Sequence, residues 1–185
     1  PTLDRLNNAK DKDERGNPMA AKVAETLGLE HHYLDFNEHF DASVLAYAWR
    51  EYRDGRTPNP CVFCNRNVKF AELLAFADKV GASTLVTGHY AKIVEGDGHI
   101  WIERGQDPRK DQSYFLCRLT TEQLRRVRFP LGHMEKSAVR TLAEELGLET
   151  ARAEESQDVC FAQNVTNFPQ ALRRYFDAPP KPGPI

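Results

Sequence analysis

The chain of 185 residues is short of most features that would assign it at a glance. No apolar run approaches the roughly 20 residues that a membrane helix needs, so no membrane partner is expected. The N-terminal Pro1-Thr2-Leu3-Asp4-Arg5 lacks the apolar stretch of a secretory leader, and a cytoplasmic location is expected. Four cysteines, two of them in one Cys-x-x-Cys, are too few for a disulfide scaffold and suit a reducing compartment. A formal net charge of −2 gives no global nucleic-acid signature, so any RNA contact must rest on local patches. There is no glycine-rich strand–turn–helix to hold S-adenosylmethionine, which places an RNA methyltransferase last among the readings.

What is present is an ordinary globular composition, 41% hydrophobic and 28% charged, enough for one good core or one domain plus part of another. Residues 1–16 are polar and aperiodic and read as a loop. Asn17-Pro18 opens a helix that Gly28 stops, with Ala20, Val23, Ala24 and Leu27 on one face. His32–Phe36 is predicted as a short strand. A second helix is expected from about Asp41, with Val44, Leu45, Ala48, Trp49 and Tyr52 as its buried stripe. A third runs from about Asn65 to Val80. Ser83–Thr87 reads as a buried parallel strand ending in Gly88-His89-Tyr90, and Ala91–Arg104 as a hairpin around Glu95-Gly96-Asp97-Gly98. A polar turn from Asp107 enters a helix near Leu116, Thr121–Arg128 is a short helix, and Lys136–Leu146 is another, with Val139, Leu142, Ala143 and Leu146 buried. A last helix, about Asn167–Phe176, precedes a proline-rich linker. Helix–Gly–strand alternation of this kind points to an α/β fold with a parallel sheet, where ligands bind beyond the carboxyl ends of strands.

The thiols stand out. Thr57-Pro58-Asn59-Pro60 brings the chain stiffly to Cys61-Val62-Phe63-Cys64, which sits on the turn that opens a helix. Unsatisfied N–H groups and the helix dipole there favour a thiolate. Such a pair serves sulfur chemistry or a metal, and the spacing alone leaves zinc, iron–sulfur and redox roles open. Cys117 reads as a small core residue. His89 by itself is as much a structural hydrogen bonder as a site residue. Arg125, Arg126 and Arg128 would ordinarily be a solvated face, though arginines also suit phosphates.

Taken in order, Gly55-Arg56-Thr57-Pro58-Asn59-Pro60, Cys64-Asn65, Lys69-Phe70, Thr87-Gly88-His89-Tyr90, Lys110-Asp111-Gln112-Ser113-Tyr114-Phe115-Leu116, Phe129-Pro130-Leu131-Gly132 and Ser156-Gln157-Asp158-Val159-Cys160-Phe161 resemble the tRNA-specific 2-thiouridylase family. The resemblance runs from about Ala20 to the last residue. It implies a Rossmann-like domain of the adenine nucleotide alpha-hydrolase type, a parallel sheet with flanking helices. That domain is expected to be incomplete at its N-terminus and to be followed by the helical start of a central domain. On this reading, residues 1–162 are a partial ATP-pyrophosphatase-like catalytic domain carrying a tRNA-binding helical insertion at about 107–150, and residues 163–185 begin a central linker domain.

The resemblance further implies Mg-dependent use of ATP to activate C2 of the wobble uridine in the tRNA anticodon arm, followed by replacement of its oxygen with sulfur. Cys160 resembles the persulfide carrier, and Cys64 the partner that releases sulfide from it or resolves it as a disulfide. A cysteine desulfurase or a sulfur-relay protein would be the donor. Gly88, His89 and Tyr90 would border the nucleotide and the target base. Lys110, Asp111 and Gln112 would lie near that pocket and the tRNA, and Arg125, Arg126, Arg128 and Lys136 are candidate phosphate contacts. Some family members carry Asp where this chain has Cys61. Cys61, Cys64 and Cys160 could thus instead hold a 4Fe–4S cluster, and the sequence leaves relay and cluster both open. The family's Ser-Gly-Gly-x-Asp-Ser loop and its C-terminal barrel are absent from residues 1–185, which are therefore expected to be inactive alone. The rival reading is a non-catalytic RNA- or metal-binding module. Oligomeric state is left open.

Overall fold

The computed structural model describes residues 19–152, together with residues 172, 173 and 176. The chain clusters into two compact units, residues 1–60 with 153–185, and residues 61–152. In the first, α1 spans Met19–Thr26. A second helical run joins α2 (Asn37–Phe40), a π-helical segment at Asp41–Leu45 and α3 (Ala46–Arg53). Val44, Leu45 and Ala48 are buried on it, as their spacing predicts, and so is Phe40, while Trp49 and Tyr52 of the expected stripe are only half-buried. Trp49 stacks on Phe176 with ring centroids 5.6 Å apart. The helical run starts four residues earlier than the apolar stripe suggests, and the Asp35 carboxylate accepts from the Asn37 N–H at 2.9 Å just before it. The strand expected at His32–Phe36 does not form; those residues take no regular structure and most are exposed. Alternating polar and apolar residues make a strand only when a neighbouring edge supplies hydrogen bonds.

The second unit holds the sheet. Here α4 (Pro60–Phe63), a π-helical segment (Cys64–Phe70) and α5 (Ala71–Lys79) follow one another without a break. The helix thus starts at Pro60, five residues before the apolar period begins, because proline at the first helical position ends the extended approach and sets φ for the helix at once. β1 (Leu85–Val86) pairs in parallel with β4 (Val127–Arg128), in the register Leu85 to Val127 and Val86 to Arg128. β2 (Ala91–Gly96) and β3 (His99–Arg104) form the expected hairpin. Asp97 and Gly98 both take positive φ at its tip, the geometry of a tight hairpin turn whose twist matches the strands. A 3₁₀ turn at Ser113–Leu116 leads to α6 (Thr121–Arg126), whose Thr120 and Gln123 form a reciprocal capping box. Another 3₁₀ turn (Pro130–His133) leads to α7 (Lys136–Glu145), and a last one lies at Glu149–Arg152.

Phe70, Leu74, Ala91, Leu116, Leu124, Val127 and Phe129 form the core of this unit, with Leu85, Ile93, Ile100, Ile102 and Leu119 packed against it. The parallel sheet of the α/β expectation is present, though only two short strands of it lie among the described residues. Three further expectations are corrected. The helix expected over Thr121–Arg128 ends at Arg126, because Val127 and Arg128 pair with β1. No residue of α7 is buried, and Leu142 and Leu146 are 45% and 55% exposed. Periodicity gives the side of a helix that is apolar, not whether anything covers it. Cys117 is exposed rather than in the core, because the turn that buries Leu116 aims the next residue outward.

Candidate active site

β1 and β4 run side by side and release their chains at the same end, where ligands of parallel sheets bind. After β1 come Thr87, Gly88 and His89; after β4 comes Phe129. The His89 ring lies 5.7 Å from Phe129 and 5.5 Å from Phe70, and the two phenyl rings are 6.0 Å apart. Phe70 closes the segment that begins at Cys64, so the thiol-bearing helix is packed against the strand ends through this aromatic trio. Thr87 Oγ1 lies 2.8 Å from His89 Nδ1, which fixes the ring.

Burial among these rings drives the His89 pKa from 6.5 down to about 4, and the Lys69 ammonium adds to the effect. His89 is therefore neutral at physiological pH and works as a hydrogen-bonding group, not as a cation. Its depressed pKa has a consequence for stability. Between about pH 4 and 6.5 the unfolded chain binds a proton that the folded chain refuses. The contribution is whole above pH 6.5 and declines as pH falls through that window. His89→Gln should remove up to about 3 kcal/mol of the acid-side loss. Chemical denaturation from pH 4 to 7.5 tests this, and a variant that loses stability with acid as steeply as the parent would refute it.

The loop beyond the hairpin is held by its own side chains. Gln112 clasps Tyr90 twice: its Oε1 accepts from the Tyr90 N–H at 3.0 Å and its N–H donates to the Tyr90 carbonyl at 2.9 Å. Asp111 accepts from the Gly105 and Ser113 N–H groups at 3.0 and 3.2 Å and from the Ser113 hydroxyl at 2.9 Å. Burial opposes its ionisation, but these bonds win and hold its pKa below the usual carboxylate range. Both side chains thus shape the loop beside His89. Lys110 donates its backbone N–H to the Asp107 carbonyl at 3.1 Å.

Sequence reasoning missed two residues here. Asp107 is only 3% exposed, and its carboxylate accepts from Lys136 N–H at 3.1 Å and Arg109 N–H at 3.0 Å. The bond from Lys136 is foremost in lowering its pKa. It ties the loop to the start of α7 and caps that helix from a distance, a link between positions 29 apart that no local pattern announces. Asn65 is 4% exposed and donates from Nδ2 to the Phe115 carbonyl at 3.0 Å, while its buried Oδ1 finds no partner among the described residues. Its place directly after Cys64 was the available signal.

Cys61 and Cys64 are half-buried on the first turns of the helix that starts at Pro60. Cys160 lies outside the described residues, as does the helix expected at about Asn167–Phe176 for most of its length. Among the described residues no group of three His, Cys, Asp or Glu side chains is placed to hold a metal ion, and two of the three thiols of the cluster reading are in view. Gly88 needs no glycine for its own sake. A Cβ there would make an ordinary 3.5 Å contact with Leu131 Cδ1.

The arginines divide. Arg126 pairs with Asp78 at 2.7 Å and donates to the carbonyls of Ala82 and Ser83 at 3.2 and 3.4 Å, closing the turn after α5. Arg128 bonds the carbonyls of Val127 and Arg125 at 2.7 and 3.1 Å. Arg125 is exposed on α6. The Lys136 ammonium lies 5.7 Å from the centre of the Tyr90 ring. No helix of the described residues is long and apolar enough to cross a membrane.

A family model described as tRNA methyl transferase HUP domain matches residues 4–164. A protein of Syntrophotalea carbinolica named tRNA-specific 2-thiouridylase MnmA is 54% identical over 142 residues, 77% of this chain. The chain belongs to the tRNA-specific 2-thiouridylase family. Other members, from Anaplasma marginale and Lactococcus lactis subsp. cremoris, carry the same name and are 46% and 42% identical over 90% and 95% of this chain. The chain spans 40%, 43% and 48% of the length of these three thiouridylases. The α/β character expected of a family member agrees with the parallel strands and flanking helices of the second unit.

Proposed function

We propose that the protein is a tRNA-uridine 2-sulfurtransferase that uses ATP to place sulfur on C2 of the wobble uridine in the anticodon arm. The observation that carries this is 42–54% identity to proteins named as 2-thiouridylases along a chain that carries both Cys64 and Cys160. The position of Cys64 on the first turns of a helix supports its role, since N–H groups there favour a thiolate.

In this reading Cys160 receives a persulfide from a cysteine desulfurase or a relay protein. The Cys64 thiolate attacks the Cys160 sulfur, a Cys64–Cys160 disulfide forms, and the outer sulfur leaves as hydrosulfide to attack C2. An external thiol then reduces the disulfide before the next turnover. ATP with Mg would lie at the strand ends by Gly88 and His89. There it would convert the C2 oxygen into a leaving group, and the glycine, which its own packing does not demand, leaves room for close approach. Neutral His89 is suited to hydrogen bonding an uncharged base. Lys110, Arg125 and Lys136 are the cations we assign to tRNA phosphates. Asp111 and Gln112 support that surface from beneath, as Arg126 and Arg128 do for the helix that carries Arg125.

A second reading is kept for Cys61, whose thiol beside Cys64 matches part of a 4Fe–4S ligand set with Cys160. We derive no step through such a cluster.

The full-length protein, given unmodified tRNA, ATP, Mg and a sulfur source, should yield 2-thiouridine in nuclease digests analysed by mass spectrometry. Tight tRNA binding with no thiolation under any sulfur source would instead support the non-catalytic RNA-binding module.

A further inference from the structure

The 3₁₀ turn at Ser113–Leu116 carries two neighbouring aromatic rings on its outer side. Tyr114 is 66% exposed and Phe115 36%, and their rings meet edge to face with centroids 5.7 Å apart. One exposed aromatic needs no explanation. This pair, however, stands on a rigid mount. Leu116 is fully buried in the core, and the Phe115 carbonyl is held by Asn65, itself buried on the thiol-bearing helix. Gln112 fixes the other end of the turn to Tyr90, next to His89.

A cation, Arg118, follows the turn by two residues. Arg118 lies over the ring of Phe63, 4.6 Å from its centre, and no acidic side chain among the described residues pairs with it. Phe63 directly precedes Cys64, so the guanidinium is held one residue along the chain from the thiol.

We propose that Tyr114 and Phe115 form a stacking platform for unpaired nucleotides of an RNA loop, with Arg118 as the phosphate contact beside it. Flat π faces at fixed positions take bases of any identity, and a nearby arginine neutralises the backbone between them. A folded-back apolar peptide would use the rings but has no use for the guanidinium, and a paired duplex offers phosphates but no exposed base face. The inference rests on the tRNA reading above and adds to it a place where the anticodon loop is held while its wobble base reaches the thiols.

The experiment uses full-length protein, a tRNA transcript and, as second probe, a fully paired RNA duplex of similar length. Tyr114→Ala and Phe115→Ala should each weaken tRNA binding by about tenfold or more, and leave duplex binding within about twofold. Tyr114→Phe and Phe115→Tyr should restore binding. Arg118→Ala should weaken both probes and lower the slope of log Kd against log salt by about 1. Parent protein that fails to bind tRNA at all overturns the tRNA reading itself. Parent protein that binds, with alanine variants that bind equally well, overturns the platform alone. So do alanine variants whose melting temperature falls while tRNA affinity holds, since the rings would then be covered by the protein's own chain.

Discussion

Cys64→Ser in the full-length protein is expected to lower tRNA thiolation by at least about three orders of magnitude, the range seen when an enzyme loses its attacking group. Serine matches the size of the thiol on a half-buried helical turn, so the fold and tRNA affinity should hold. What is lost is the soft, ionisable sulfur: a hydroxyl on the same turn stays protonated and attacks a persulfide poorly. Persulfide should still load on Cys160 in this variant and accumulate there, visible as a 32 Da adduct by mass spectrometry (the mass of one sulfur). Cys61→Ser separates the two readings of the thiols. In the relay it should keep thiolation within about tenfold of the parent, because Cys61 handles no sulfur. In a cluster it should be as damaging as Cys64→Ser. Thiolation that survives the loss of Cys64 would remove this residue from the reaction.

Gly132→Ala is expected to cost about 3 kcal/mol or more in stability, and to lower the melting temperature by roughly 6–12 °C. The position is hemmed in by backbone. A Cβ built on Gly132 would lie 1.9 Å from the Ala91 carbonyl oxygen and 2.6 Å from its carbon. Neither can step aside, since Ala91 is fully buried at the start of β2. Gly132 is itself pinned by hydrogen bonds to Phe129 and Gln106, 3.0 and 2.9 Å long. No side-chain rotation relieves such a contact. Gly88→Ala is the matched control, where the added methyl meets only the end of the Leu131 side chain at 3.5 Å. Its melting temperature should stay close to the parent's, and its effect should show in the KM for ATP. Equal melting temperatures for Gly132→Ala and the parent would contradict the packing described.

Much of this site was legible because it is local. Proline and cysteine at Pro60-Cys61-Val62-Phe63-Cys64 specify a helix start with thiols on it, and Asp97-Gly98 specifies a hairpin tip. The run Gly88-His89 after an apolar segment marks a strand end, and it follows β1 by one residue, but the strand expected over Ser83–Thr87 is reduced to Leu85–Val86 and Val86 is 59% exposed rather than buried. What escaped depends on partners distant in sequence. Asp107 looked like a turn residue and is the buried cap of α7; Asn65 looked like a helix residue and holds the turn 50 positions away. Three nearby arginines concealed a strand, because Arg128 must reach β1 while Arg126 folds back to Asp78. Cys117 was misplaced for the same reason: composition gives the preference of a thiol for the interior, and only the turn geometry gives its direction.

The π-helical segment from Cys64 to Phe70 sets the angular offset between the sulfurs and the core. Wider turns of this kind hold more residues per revolution than an α-helix. The same residues wound as a regular α-helix, with Phe70 still anchored beside His89, would carry the two sulfurs roughly 100° around the axis, away from whatever they now face. The direction in which the thiols point is thus set by the wider winding of the segment between Cys64 and Phe70.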